Sequence, residues 1–195
     1  MENGLWVKKL LQLLGKDVNT YDHSLRVGKL CKMMATYLHL DEKQTCQLIL
    51  GGCLHDIGKI FIPDQILKKA SALTAQEWKV MQEHPSLGAS MIREYGCMDQ
   101  EIIDVIDFHH ERWNGMGYPN GLKGNSTPEF ARICGILDSF DSMVTDRPYR
   151  KGLTFRQAEE ELLLHSGTQF DSYYVDIFLR LSPSFGEIYP FKKHT

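Results

Sequence analysis

The sequence predicts an all-α protein, a single-domain helical bundle. Apolar residues recur with helical spacing in one segment after another, and residues that favour helix starts stand before these segments. No stretch alternates apolar and polar residues for long enough to form a convincing strand. A length of 195 residues suits one domain with a substantial core, and the chain contains neither an internal repeat nor a low-complexity linker.

The amino-terminal half begins with two predicted helices. Residues 1–16 include the amphipathic stretch LWVKKLLQLLGK, which is predicted to pack on its own domain rather than on a membrane or a partner. The next helix covers residues 20–40, and its apolar face has the spacing i, i+3, i+4, i+7, i+8. That face is formed by Leu30, Met33, Met34, Tyr37 and Leu38.

The third predicted helix, residues 41–56, starts with acidic side chains suited to a helix amino terminus. It runs into the sequence GGCLHDIGKI, and Gly58 then interrupts the pattern, so that His55 and Asp56 lie near a helix end. The stretch TAQE, residues 74–77, has the form of a capping box and is predicted to open another helix.

The carboxyl-terminal half continues the helical pattern. Pro85 follows His84, so a helix should kink or restart there. Asp99 is the predicted N-cap of a helix that ends at His109 and His110. A glycine-rich loop follows, and further helices are predicted over residues 128–142, 154–165 and 171–181. The single domain, 1–195, would have its core in residues 17–182 and a carboxyl-terminal tail in residues 183–195.

Composition excludes some classes of function. A net charge of −3 argues against a general nucleic-acid-binding surface, so DNA is not an expected partner. No long uncharged apolar run indicates a membrane span, and the amino terminus lacks a signal-peptide pattern. The five cysteines form no C-x-x-C motif and are interpreted as small hydrophobic residues of a reducing compartment, which predicts a cytoplasmic protein.

Five of the eight histidines lie at predicted helix ends or on helices that also carry aspartates. Imidazole and carboxylate ligands together suit divalent transition metals such as iron, manganese or zinc. Consecutive side chains in a regular helix point in different directions, so neighbouring ligands can share a metal centre only at helix ends or by serving different metals. A lone histidine is most often a core or surface residue, and the prediction therefore rests on the whole set. The set is His23, His55, Asp56, His84, His109, His110 and Asp138.

The segments around these residues resemble a known family. HDIGKIFIPDQIL, the HP at 84–85, HHERWNGMGYPNGLKG and DSFDSMVTDRPYR occur in the order found in the HD-GYP family. This family is a branch of the HD metal-dependent phosphohydrolase superfamily that is associated with hydrolysis of cyclic di-GMP. The resemblance extends from about Asn19 to Asp171. It implies an all-α bundle of the HD-domain type with a GYP loop, in agreement with the helix pattern.

The resemblance also implies roles for the ligand set. One metal would be held by His23, His55, Asp56 and Asp138. Asp56 would bridge to a second metal, which His84, His109 and His110 would complete. The expected cofactors are two divalent transition metal ions, iron or manganese first, with zinc or others as alternatives.

Three departures from the family pattern are present, of which the stretch from Ser142 to Thr145 is expected to be tolerated packing variation. Asn19 stands where some members have a glutamate that helps to hold a third metal. A neutral amide is a poor substitute for a carboxylate, so two metals are expected. Asn114 replaces the aspartate usual in the DGxGYP motif. Its lack of charge is expected to affect loop anchoring or substrate preference without removing a metal ligand.

Further residues are assigned to the substrate by resemblance. Asp56 and Lys59 would be catalytic, with Lys59 beside the substrate phosphate. Gly117, Tyr118 and Pro119 belong to the GYP loop, which is assigned to the substrate mouth and to contacts with partner proteins. Arg147 and Arg150 are expected to bind the second phosphate or to stack on guanine. A plain salt-bridged loop is the alternative for these two arginines.

The function implied is a metal-dependent phosphodiesterase that converts cyclic di-GMP into pGpG, GMP or both by means of a metal-activated hydroxide. Two alternatives stay open: an HD hydrolase of another cyclic dinucleotide, and a catalytically weak sensor or docking domain. The expected partners are a cyclic dinucleotide, proteins that bind the GYP loop, and a second copy of the chain in a homodimer.

Overall fold

A computed structural model describes residue 8 and residues 12–13, 15–96, 98–146 and 151–189. Within these residues the secondary structure is helical, and the only β contacts are two isolated bridges. The all-α prediction is therefore confirmed. Among the described helices, none is both long enough and apolar enough to cross a membrane.

The described residues form nine α-helices and three 3-10 helices. The α-helices are α1 Val18–Tyr37, α2 Glu42–Leu54, α3 Asp64–Leu67, α4 Ala75–Met81, α5 His84–Tyr95, α6 Gln100–Phe108, α7 Glu129–Val144, α8 Phe155–Leu164 and α9 Ser172–Leu179. The 3-10 helices are Ile57–Phe61, Gly124–Ser126 and Ser182–Glu187.

Helix starts follow the capping residues of the sequence. At α4, Thr74 Oγ1 accepts from the backbone N–H of Glu77, and the Glu77 carboxylate accepts from the backbone N–H of Thr74. This is the predicted capping box. Asp99 does precede α6, but its side chain does not cap the helix and instead accepts a hydrogen bond from Gln47 Nε2 at 2.7 Å. The prediction for Asp99 was right in position and wrong in its contact.

Helix packing brings distant segments to one place. Helix α1 packs on α2 and α7, and α6 packs on α2, α5 and α7. One apolar cluster is built mainly from α1, α7, α8 and α9, with Phe140 and Phe178 fully buried. A smaller cluster joins the end of α2 to α5 and α6. The helix ends that carry the predicted metal ligands therefore belong to directly packed elements.

The amino-terminal segment, as far as it is described, packs on the domain. Leu13 is fully buried in the smaller cluster. Lys16 Nζ donates to the backbone carbonyls of Ile60 and Ile62, at 2.7 and 2.5 Å. These contacts join the segment to the turn that follows the HD motif.

The carboxyl-terminal segment is a correction to the sequence analysis. Phe185 is fully buried, and Ile188 and Tyr189 are nearly so, all within the larger apolar cluster. The prediction of a tail outside the core is wrong for residues 185–189, because three apolar side chains in five residues find a site between helices.

Candidate metal centre

The seven predicted ligands lie together in the structure. The nitrogen and oxygen atoms of His23, His55 and Asp138 form one group in which all lie within 4.8 Å of one another. A second group of the same kind consists of His84, His109 and His110. The seven side chains come from five helices or helix ends, and each of the two groups is large enough to hold one cation.

Asp56 lies between the two groups. Its Oδ2 is 3.4 Å from His55 Nε2 and 3.7 Å from His23 Nε2, on the side of the first group. Its Oδ1 is 3.2 Å from His84 Nε2, on the side of the second group. The two oxygens of one carboxylate therefore face different groups, which is the geometry needed to bridge two cations.

The neighbouring ligands converge because their helices end. His55 is the C-cap of α2, and Asp56 precedes the 3-10 helix Ile57–Phe61. His109 is the C-cap of α6, and the rings of His109 and His110 have centroids only 4.1 Å apart. Beyond the last helical turn the backbone no longer forces successive side chains to point in different directions.

Backbone carbonyls fix the orientation of three imidazoles. The Nδ1 atoms of His55, His84 and His109 contact the carbonyl oxygens of Gly52, Met81 and Ile106, at 2.7, 2.8 and 3.0 Å. A carbonyl oxygen can only accept, so each Nδ1 carries the proton. The remaining nitrogen, Nε2, faces the other ligands. Such outer contacts are typical of metal-binding histidines.

Asp141 orients the fourth imidazole, and the sequence analysis missed it. Its Oδ2 accepts from His23 Nδ1 at 2.7 Å, and Arg26 Nε donates to its Oδ1 at 2.7 Å. Asp141 is fully buried. The available signal was its spacing: Asp138 and Asp141 are three residues apart on the same helix and therefore share a face.

Both carboxylates of the centre are held in the ionised form. Burial raises the pKa of Asp56, but the charges of Lys59 and His55 outweigh it and bring the pKa well below its ordinary value. Burial acts in the same direction on Asp138, and the hydrogen bond and charge of His23 outweigh it, so this pKa is also well below the ordinary value. The centre thus presents negative charge to a cation.

The histidines divide into two electrostatic classes. Burial lowers the pKa of His23, but hydrogen bonds to Asp138 and Asp141 raise it to about 9 overall. Burial and the neighbouring imidazole His84 lower the pKa of His110 to about 3. Burial and the charge of His110 likewise bring the pKa of His109 well below its ordinary value. The carboxylates around His23 therefore favour a positive charge at that position, whereas His109 and His110 are neutral imidazoles, the form that binds metals.

The donor set fits divalent transition metals. Imidazole nitrogens and carboxylate oxygens suit iron, manganese and zinc. Buried carboxylates are costly unless they are paired or coordinate a metal. Here they lie among oriented imidazoles whose Nε2 atoms face the other proposed ligands, so the residues present match the cofactors implied by the sequence.

Lys59 reaches the same centre. Its Nζ is 2.6 Å from Asp56 Oδ2, and its side chain is partly exposed. A carboxylate oxygen has more than one lone pair, so this contact leaves Asp56 able to bind a cation. The ammonium group contacts Asp56 at the edge of the centre, and the Lys59 side chain as a whole is 21% exposed.

The GYP loop covers the second group of histidines. The Tyr118 ring stacks on the His110 ring with centroids 4.7 Å apart, and the Tyr118 N–H donates to the His110 carbonyl. The next peptide, Tyr118–Pro119, is cis. Glu111 accepts hydrogen bonds from the backbone N–H groups of Asn120 and Leu122 at 2.7 and 2.9 Å, which holds the loop to the end of α6.

The departures from the family pattern have structural correlates. Asn114 Oδ1 accepts from the Met116 N–H at 2.9 Å, a contact that needs a side-chain oxygen and no charge. Asn19 lies exposed in the first turn of α1. It is not part of any group of potential metal ligands found among the described residues. Arg147 and Arg150 lie outside the described residues.

A cavity of about 140 Å³ adjoins the second group of histidines. His109, His110 and Tyr118 line it together with Trp78 and Trp113. Trp78 is 47% exposed and lies edge-on to Tyr118, with ring centroids 6.4 Å apart. The sequence analysis did not identify Trp78, because its helix, α4, contributes no metal ligand. Two tryptophans and a tyrosine thus surround an opening beside the centre.

Comparisons with known proteins agree with this geometry. The family model of the HD domain matches residues 9–173. The chain is 35% identical over 186 residues to a Thermotoga maritima protein named cyclic di-GMP phosphodiesterase. This match covers 94% of this chain and 50% of that protein. The chain is also 37% identical over 158 residues to 3'3'-cGAMP-specific phosphodiesterase 2 of Vibrio cholerae. That match covers 80% of this chain and 30% of the relative.

A solved structure shows the same fold. Bd1817, described as a HDG"Y"P protein from Bdellovibrio bacteriovorus, superimposes with a TM-score of 0.69 at 23% identity, over 83% of this chain and 51% of that one. The chain spans half or less of the length of the two curated relatives above. Because the family model of the HD domain matches most of this chain, and because the GYP loop lies beside the histidines, the chain belongs to the HD domain family, in its HD-GYP branch.

Proposed function

We propose that this chain is a metal-dependent phosphodiesterase that hydrolyses cyclic di-GMP to pGpG, GMP or both. The observation that carries the proposal is the position of Asp56, whose two oxygens face two separate groups of buried histidines. Centres with two metals roughly 3.5–4 Å apart are typical of enzymes that hydrolyse phosphate esters. The similarity to a protein named cyclic di-GMP phosphodiesterase supports the same activity.

We propose that each of the two groups of side chains holds one metal ion and that Asp56 belongs to both. His23, His55, Asp56 and Asp138 would hold the first metal, and Asp56, His84, His109 and His110 the second. Iron or manganese is the preferred cofactor, and zinc is the alternative. When bound, such metals supply a nucleophilic hydroxide near neutral pH and offset charge on the phosphate.

The chain's own residues would position the substrate. Lys59 Nζ, at the open edge of the centre, would donate a hydrogen bond to a phosphate oxygen and offset its charge. The cavity beside His110 would receive one base of the dinucleotide, which would stack on Trp78 and meet the nearly perpendicular Tyr118 ring edge-on. Its volume of about 140 Å³ is similar to that of an engineered cavity of about 150 Å³ that admits a benzene ring.

A second cyclic dinucleotide is a specific alternative substrate. The relative with 37% identity is named for 3'3'-cGAMP, in which one guanine of cyclic di-GMP is an adenine. The two bases have the same aromatic surface and differ at their edges. Stacking on Trp78 suits both bases, so contacts with the base edges would decide the preference.

A catalytically weak docking domain is the alternative from another class. Loss of metal ligands would favour it, yet all seven expected side chains are present and face one another. Contacts with partner proteins are compatible with an active enzyme. Met116, at the tip of the GYP loop, is 78% exposed and offers a flexible apolar contact.

Location and assembly are part of the same proposal. The cysteines described, Cys31, Cys46, Cys53 and Cys134, are all free thiols, which supports a reducing, cytoplasmic location. A homodimer remains a prediction, and the mass of the purified protein in solution tests it.

The decisive experiment is anaerobic purification with metal analysis, followed by incubation with cyclic di-GMP, 3'3'-cGAMP and cyclic di-AMP and identification of the products. We expect two metals per chain and pGpG or GMP from cyclic di-GMP. Asp56→Ala should lose metal and hydrolysis together, whereas Asp64→Ala, at an exposed aspartate paired with Lys68, should keep both. A wild-type protein that binds two metals and cleaves none of the three dinucleotides would contradict the proposal.

A further inference from the structure

The carboxyl-terminal segment reaches the candidate metal centre through one hydroxyl group. Tyr189 Oη donates to Asp141 Oδ1 at 2.6 Å. The same carboxylate accepts from His23 Nδ1 at 2.7 Å through its other oxygen. Tyr189 is therefore separated from a proposed metal ligand by a single carboxylate.

All members of this chain of contacts are buried. Asp141 has no exposed surface, and Tyr189 and His23 are 6% and 8% exposed. Without the Tyr189 hydroxyl, Asp141 Oδ1 would keep the hydrogen bond from Arg26 Nε, at 2.7 Å, and lose the second one. A buried carboxylate that loses one of its donors is less firmly held, because a lost buried polar contact costs free energy. Because water cannot easily replace the Tyr189 hydroxyl there, the orientation of Asp141 depends on that hydroxyl.

Aromatic packing holds Tyr189 in position. Its ring lies edge-on to Phe140 and Phe155, with centroids 6.2 and 5.6 Å away. Phe140 directly precedes Asp141 on α7. The ring and the hydroxyl of Tyr189 thus contact the same stretch of α7.

The contact belongs to a part of the chain that the family match leaves out. The HD domain match ends at residue 173, whereas Tyr189 lies 16 residues later, after α9. The four other contacts that orient imidazoles come from residues within the match: Gly52, Met81, Ile106 and Asp141. Tyr189 adds an outer support to one ligand of the first group only.

We propose that Tyr189 is a positioning residue that acts through Asp141 to hold His23 in the orientation that binds the first metal. The affinity of that metal then depends on the carboxyl-terminal segment, residues 185–189, being packed in the core. An event that withdraws this segment would weaken the first metal and leave the second group intact. This inference rests on the proposed metal centre and is independent of which cyclic dinucleotide is the substrate.

The test compares two tyrosines that each donate to a carboxylate. Tyr189→Phe removes the hydroxyl on Asp141. Tyr174→Phe is the matched control, because its hydroxyl donates to Glu129 instead. Metal-stripped protein is titrated with manganese against a competing chelator. Loss of a group that contacts a metal ligand directly lowers metal affinity by about 10–100-fold. Tyr189 contacts Asp141 rather than His23 itself, and Arg26 still holds Asp141, so for Tyr189→Phe we expect the lower end, about tenfold, at one of the two sites.

A spectroscopic measurement separates positioning from simple stability. At a manganese concentration that just fills both wild-type sites, the paramagnetic resonance spectrum of Tyr189→Phe should contain a larger share of uncoupled single ions, whereas coupled pairs should dominate in wild type and Tyr174→Phe. A Tyr189→Phe protein with two unchanged affinities would overturn the inference, even if its melting temperature without metal were lower.

A second variant covers the case in which Tyr189→Phe does not fold. Arg26→Met removes the other donor to Asp141 Oδ1 from a partly exposed position. It should weaken the same single site. Unchanged affinities in Arg26→Met would overturn the inference, whereas wild-type protein that binds no metal would overturn the proposed function as well.

Discussion

Gly117 lies against the backbone at the end of α6. A Cβ atom there would lie 2.4 Å from the Arg112 nitrogen and 2.6 Å from the His110 carbonyl oxygen. Such contacts are with backbone atoms, which cannot move aside as a side chain can. The next residue, Tyr118, stacks on His110. The absence of a side chain at Gly117 therefore determines how closely the GYP loop approaches the centre.

The variant Gly117→Ala should displace Tyr118 from His110. We expect the KM for the cyclic dinucleotide to rise about tenfold and stability to fall by about 1–3 kcal/mol, the usual cost of overpacking. Steady-state kinetics and urea unfolding measure the two effects. Gly15→Ala is the control: nothing lies within 4 Å of its added Cβ, so KM should not change. Equal KM values for wild type and Gly117→Ala would refute the role of the loop.

Substitution of Trp78 distinguishes a site that binds a nucleotide base from one that binds only a small phosphate. Stacking of a base on an aromatic side chain contributes about 1–3 kcal/mol. Trp78→Ala should therefore raise the KM for cyclic di-GMP at least about fivefold and leave the metal content unchanged. Tyr173→Ala removes another exposed aromatic ring, on α9, and should leave KM as it is. If Trp78→Ala binds substrate as well as wild type, the bases lie elsewhere.

At the scale of elements, the short helix α4 is stabilised by the capping box at its amino terminus. Seven residues are too few for a stable isolated helix. The Thr74–Glu77 capping box satisfies its first N–H groups, and Lys69 Nζ binds the Glu77 carboxylate at 2.6 Å. Because α4 carries Trp78, the cap also fixes the ring beside the cavity.

Thr74→Ala should thus affect both stability and substrate binding. Loss of an N-cap costs about 1 kcal/mol, and a looser α4 should raise KM several-fold. The matched control is Thr154→Ala, which removes the equivalent capping box of α8. We expect a similar loss of stability there without a change in KM. If both variants alter KM equally, the proposed link between the α4 cap and substrate binding is wrong.

Glu77 makes the stability of α4 depend on pH. The hydrogen bond from Lys69, together with the Thr74 N–H, lowers the pKa of Glu77 to about 2. A lowered pKa in the folded state means that the stabilisation is complete above the ordinary pKa of about 4.5 and is lost as pH falls towards about 2. The difference in unfolding free energy between wild type and Glu77→Gln should shrink over this range. A difference that stays constant from pH 5 to pH 3 would be inconsistent with the ion pair.

Across the whole molecule, the candidate metal centre joins helices that are far apart in sequence. His23 lies on α1, His55 at the end of α2, His84 at the start of α5 and Asp138 on α7. Cations bound between these elements would stabilise the folded chain, since the unfolded chain cannot present the same ligands together.

Metal removal should therefore lower the melting temperature. A metal at a hundred times its Kd stabilises by about 2.7 kcal/mol per site, which corresponds to roughly 5–10 °C for a chain of this size. Calorimetry of chelator-treated protein, before and after manganese is restored, measures the shift. Asp56→Ala should show little of it. An identical melting temperature with and without metal in wild type would argue against the centre.

Local patterns predicted the helices and the identity of the proposed ligands. Helical periodicity and the Thr74–Glu77 capping box depend on residues a few positions apart, so they can be predicted from the sequence. The motifs around His55–Asp56 and His109–His110 likewise marked helix ends, and the structure has both pairs there. The same reasoning placed Asp99 correctly before α6 but could not see that Gln47, 52 positions away, takes its carboxylate.

Only the tertiary structure decided how these pieces meet. That the two oxygens of Asp56 face different histidine groups, that Asp141 binds His23 over 118 positions, and that Tyr189 reaches Asp141 from a segment expected to be a tail all depend on packing between distant helices. Hydrogen bonds and van der Waals contacts act over a few ångströms, so a chain's linear order does not show which remote side chains they join.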